Sequence, residues 1–122
     1  MPDFKLPHDH NHNLEETELA NMPSANQFQV AADVLKLLGD TSRSRIFWIL
    51  CHCEECVMNL SAMVDMSSPA VSHHLKLLKT SGLITSRREG KEMYYTAAKN
   101  AQADLLHHTI EQMIEVSCPD ER

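Results

Sequence analysis

Apolar residues recur at helical spacing along much of this chain, and most of the stripes are bounded by residues suited to helix ends. Phe28, Ala31, Ala32, Leu35 and Leu38 make one stripe; Ser24 and Gln27 form a capping box ahead of it and Gly39 stops it. Asp40 caps the next helix, Thr41 to about His52, whose apolar positions are Ile46, Phe47, Ile49 and Leu50. Asn59 to Met66 reads as a short helix, and Leu14 to Asn21 as another. Ser68 as cap and Pro69 at the first helical position open a helix that Gly82 closes. Thr85 to Tyr95 then holds two β-prone segments around Glu89-Gly90, a hairpin signal. A last helix is predicted from about Asn100 to Ser117, with Leu106, Ile110, Met113 and Ile114 on one side.

The helix after Ser68 carries the most specific chemistry. Its polar face is Pro69, Ser72, His73, Lys76, Lys79 and Thr80; Ala70, Val71, His74, Leu75, Leu77 and Leu78 lie opposite. Hydroxyls, an imidazole and ammonium groups without a carboxylate suit base edges and phosphates in a major groove. Arg87, Arg88 and Lys91 crowd the hairpin that follows. A helix, a basic-faced helix and a basic hairpin in that order predict a mainly α fold with a β-hairpin wing, a winged helix-turn-helix. Ser68, Ser72, His73 and Lys76 would enter the groove while Arg87, Arg88 and Lys91 hold phosphates, and Lys79 completes the DNA-binding set. His74, flanked by Leu77 and Leu78, reads as a hydrogen-bonded core histidine.

The segments LGDTSRSRIFWIL, ECVMNLSAM, SSPAVSHHLKLLKTSGLI and RREGKEMYY together resemble the ArsR/SmtB family of winged-helix repressors, over roughly Val34 to Thr96. The resemblance implies a homodimer built through the terminal helices. It also implies double-stranded operator DNA as partner, and release by an inducer that is usually a metal ion. A two-fold dimer would read an inverted repeat.

Composition fits that picture once its distribution is considered. The net charge is -6, yet residues 1–35 hold one lysine against six acids, whereas residues 68–99 hold six bases against Glu89 and Glu92. The stripe facing DNA is basic and the acidity lies elsewhere. Nothing resembles a signal peptide, no apolar run is long enough to span a membrane, and four cysteines suggest thiols in a cytoplasmic protein. A glycine-rich phosphate loop and a nucleophile elbow are both missing, which argues against an enzyme. A protein-interaction module is the alternative if the basic stripe does not bind DNA. The expected organisation is an arm with a short helix over residues 1–23, a DNA-binding and dimerisation domain over 24–118, and a tail over 119–122.

Three groups of side chains are candidates for the inducer. Cys51, Cys53 and Cys56, with His52, Glu54 and Glu55 among them, offer soft donors for zinc, cadmium, lead or trivalent arsenic. His8, His10 and His12 in the arm could add nitrogen ligands across subunits. The family's Glu-Leu-Cys-Val-Cys-Asp run corresponds here to Glu55-Cys56-Val57-Met58-Asn59, with Met58 replacing the second thiol. The second group is Asp104, His107, His108, Glu111 and Glu115, on one face of the last helix. Of the family's usual ligands on that helix only Glu115 has a counterpart. The third is the pair Cys51 and Cys118, which resembles the cysteines of redox- or sulfur-sensing relatives.

Overall fold

The computed structural model describes residues 7–8 and 16–121. His10 and His12, with the start of the predicted Leu14 to Asn21 helix, lie outside the described residues. The chain divides into two compact units, Met1–Val34 and Leu35–Arg122. In the first, α1 (Glu16–Ala20) is followed by the start of α2 (Ala25–Leu37). The capping box forms as expected: Gln27 N–H donates to Ser24 Oγ (3.1 Å), and Ser24 N–H donates to Gln27 Oε1 (2.9 Å). No residue of α2 is buried; Phe28 and Val30 remain more than half exposed.

The second unit holds the core. Helix α3 (Thr41–His52) is capped by Asp40, whose carboxylate accepts from Arg43 N–H at 2.9 Å. It presents Ile46, Phe47 and Leu50 inward against α4 (Val57–Val64), α5 (Ser68–Thr80) and α6 (Ala101–Ser117). Leu60 and Val64 of α4, Val71, Leu75 and Leu78 of α5, and Ala103 and Leu106 of α6 complete that core. Asn100 caps α6 through its side chain, which accepts from Ala103 N–H at 2.8 Å and donates to Gly82 O at 3.1 Å. That bond to Gly82 ties the start of α6 to the turn that follows α5.

The predicted hairpin is present and longer than expected: β2 (Ile84–Glu89) pairs antiparallel with β3 (Glu92–Ala97). Glu89 is still in the strand and faces Glu92, so the turn falls on Gly90-Lys91, with Gly90 at φ 63°. A short strand that periodicity did not reveal, β1 (Glu55–Cys56), joins the other edge of β3, giving the order β1-β3-β2. Cys56 lies opposite Tyr94, and Glu55 opposite Tyr95. Two further boundaries differ from the sequence reading. The cap of α5 is Ser67, whose Oγ accepts from Ala70 N–H at 3.3 Å, so Ser68 is the first helical residue. Helix α4 begins at Val57 and ends at Asp65 in the left-handed conformation (φ 54°), where glycine would be the usual choice.

Candidate functional site

The core holds α5 by its buried side, and this fixes what the helix offers to a partner. Val71, His74, Leu75 and Leu78 are buried; Ser68, Pro69, Ser72, His73, Lys76, Lys79 and Thr80 are exposed. The predicted DNA-facing set on this helix thus shares one solvent-facing surface. Ser68 Oγ lies 3.4 Å from Ser61 Oγ of α4, and Lys79 Nζ donates to Ser86 Oγ at 2.6 Å, tying the helix to the wing.

His74 behaves as a core residue. Its Nδ1 is 3.2 Å from Arg43 Nη1, and arginine can only donate, so Nδ1 accepts and the ring is neutral. Burial, with Arg43 and His73 close by, pushes its pKa down, against a smaller opposing pull from Asp40. A neutral imidazole satisfied inside the core costs no buried charge.

Arg87 is engaged within the chain. Its guanidinium makes a bidentate pair with Glu54 (Nε to Oε2 2.8 Å, Nη2 to Oε1 2.6 Å) and reaches Glu89 at 2.9 Å. It also stands over the Tyr94 ring, 5.0 Å from the centroid. The hydrogen bond from Arg87 holds the Glu54 carboxyl below its ordinary range, while both carboxylates raise the Arg87 pKa. Arg88 and Lys91 are exposed. If Arg87 is a phosphate ligand, as its place in the basic hairpin leads one to expect, Glu54 competes with DNA for it. Glu54→Gln is expected to tighten operator binding several-fold at low salt. Its log-log salt slope should be steeper by about 0.9, the value of one added phosphate contact. An unchanged slope in a fluorescence anisotropy series would show that Arg87 does not reach the backbone.

The candidate metal ligands are distributed differently from their spacing in sequence. Cys51 is half-buried on the last turn of α3, Cys53 is exposed just after it, and Cys56 is buried in β1. Cys53 Sγ donates to Ile49 O at 3.4 Å. Burial, then the nearby Asp104 charge, pushes the Cys51 thiol up to about 11. Cys53 is raised too, by burial and by Glu55. Cys118 is a free, half-buried thiol at the end of α6. Among the described residues, the one group of three donors lying within 4.8 Å of one another is His52, His107 and Glu111, not the thiols. His107 and Glu111 belong to the predicted α6 face; Asp104, His108 and Glu115 of that face are exposed and outside the group. His52 comes from α3, across a sequence separation that helical spacing cannot bridge. His8 is exposed.

Helix α4, the α5 surface and the hairpin wing together define a winged helix-turn-helix DNA-binding regulator. Residues 40–86 match the family model described as bacterial regulatory protein, arsR family. The chain is 35% identical over 92 residues to a transcriptional repressor SmtB homolog of Synechocystis, covering 75% of this chain and 70% of that protein. It is 35% identical over 91 residues to the cadmium resistance transcriptional regulatory protein CadC of Listeria innocua, covering 72% and 71%. Its fold matches a homodimeric winged helix-turn-helix DNA-binding domain from Mycobacterium bovis with a TM-score of 0.62 and 25% identity, covering 77% of this chain and 89% of that one. The chain belongs to the ArsR family: it is a DNA-binding transcriptional regulator and not an enzyme. Among the described residues no helix is long and apolar enough to cross a membrane.

Proposed function

We propose that this chain is a homodimeric repressor that leaves its operator when a metal ion binds. The single observation that carries the DNA-binding half is the exposed α5 face, with three hydroxyls, an imidazole, two lysines and no carboxylate on a helix anchored by its buried side. Dimerisation is supported by an apolar surface that water alone would cover poorly. A groove of about 850 Å³ runs between α3 and α6, lined by Leu38, Trp48, Ile49, Ile110 and Met113 among others. Leu105, Met113 and Val116 are each more than 60% exposed.

The metal half is supported by the relatives' names, which include cadmium and arsenical resistance regulators, and by the supply of thiols. Thiolates favour cadmium, lead, zinc and trivalent arsenic over hard cations. Because the three thiols do not gather within one chain, the proposed site at Cys51, Cys53 and Cys56 is completed across the dimer by His8, His10 and His12 of the other subunit. A metal at these thiols must displace their protons, so its affinity climbs with pH. By linkage, an ion that weakens DNA binding is itself held less tightly on DNA; couplings of about 1–3 kcal/mol are typical.

Operator anisotropy on reduced protein, titrated with zinc, cadmium, lead and arsenite, tests this reading. Release by a thiophilic ion, abolished in Cys53→Ser/Cys56→Ser, is the expected result. Release only on oxidation, dependent on Cys51 and Cys118, would replace it with redox sensing.

A further inference from the structure

We infer that His52, His107 and Glu111 form a zinc-class metal site within one subunit, separate from the thiols and joining the end of α3 to the middle of α6. His52 Nε2 and His107 Nε2 are 3.2 Å apart, and His107 Nε2 is 3.8 Å from Glu111 Oε1. Three donors from two helices thus converge within 4.8 Å. Zinc-nitrogen bonds of about 2.0–2.1 Å in tetrahedral geometry place neighbouring donors about 3.3–3.4 Å apart. The observed separations bracket that value, so one ion needs only small rotations of the side chains. Two imidazoles and one carboxylate leave the fourth position open to water or another ligand.

The surroundings hold the donors in place. Trp48 Nε1 donates to Glu111 Oε1 at 2.6 Å, and its ring lies 4.1 Å from that of His52. The His52 and His107 rings meet edge to face with centroids 4.9 Å apart. Such contacts orient ligands before an ion arrives, and that orientation contributes affinity. The two ligands on α6 are four residues apart, hence on one helix face, which the bond from Trp48 pins against α3. Nitrogen and oxygen donors suit zinc, cobalt(II) or nickel(II) better than thiophilic ions. The site therefore shares zinc with the proposed cysteine site but favours cobalt(II) and nickel(II) where the thiols favour cadmium, lead and trivalent arsenic. It rests on that metal-responsive reading for none of its geometry.

Trp48 is the only tryptophan, so its fluorescence reports this site directly. Metal-stripped, reduced full-length protein would be titrated with cobalt(II) and with zinc, reading visible cobalt absorption and Trp48 emission. The expected result is one cobalt per chain, an emission change, and no near-ultraviolet band from thiolate-to-cobalt charge transfer. Both signals should survive in Cys53→Ser/Cys56→Ser. They should weaken by about 10–100-fold or more in His107→Gln, and equally in His52→Gln, whose exposed side chain makes misfolding an inadequate explanation. Circular dichroism of each variant checks the fold. Loss of both signals in the double cysteine variant, unchanged binding in both histidine variants, or no cobalt bound at all would each overturn the inference. Operator release is not read in this experiment, so its result stands apart from that of the thiol switch.

Discussion

Placing a carboxylate at Ser72 is expected to weaken operator binding by about 100-fold, roughly 3 kcal/mol, while leaving stability nearly unchanged. Ser72 is exposed in the middle of the α5 polar face, next to His73 and one turn before Lys76. That face contains no carboxylate, and an anion brought against phosphates and base acceptors opposes binding by several kcal/mol where charges are desolvated. The aspartate would meet only solvent in the free protein, so denaturation midpoints should stay put. Ser72→Ala removes at most one hydroxyl contact and should cost far less. Anisotropy with operator DNA decides it: if Ser72→Asp binds within threefold of the parent, this face does not enter the groove and the helix docks by another side.

The second large effect lies in the core. Phe47→Ala is expected to lower stability by about 3–5 kcal/mol, the usual cost of emptying a buried aromatic site. Phe47 is fully buried on the helix that contacts α4, α5 and α6 at once, so collapse around the cavity would have to move several elements together. Domains of this size are commonly stable by only about 5–15 kcal/mol. The variant should therefore unfold at much lower urea concentration, and lose DNA binding on modest warming. A loss under 1 kcal/mol in equilibrium denaturation would mean that the pocket closes over the gap.

Much of this architecture was legible because its signals are local. The capping box of Ser24 and Gln27, the Asp40 cap, and the glycine that follows α5 act over three or four residues, and each forms as the sequence suggests. The split of α5 into buried and exposed sides follows from helical spacing alone, and His74 falls on the predicted side. Ser67 and Ser68 are adjacent hydroxyls that compete for one cap, and local pattern could not choose between them. Strand β1 is two residues long, too short for any alternation to register, and exists because β3 offers it an edge. The meeting of His52 with His107 spans 55 residues and depends on how α3 and α6 cross. For the same reason the thiols, close in sequence, do not cluster: they sit on a helix end, an extended cap residue and a strand.

The edge pairing of Glu55 and Cys56 has a mechanical consequence. A hairpin wing attached only at its base would act as a flag, free to follow the backbone it touches. This one is also held along its β3 edge by β1, and Cys56 lies opposite Tyr94, the residue whose ring seats the Arg87 guanidinium. Glu54, the neighbour of that short strand, grips the same guanidinium from the other direction. The segment carrying the cysteines is thus the gearing of the wing. Any change in its position would bear on the ring that seats the arginine and on the carboxylate that latches it.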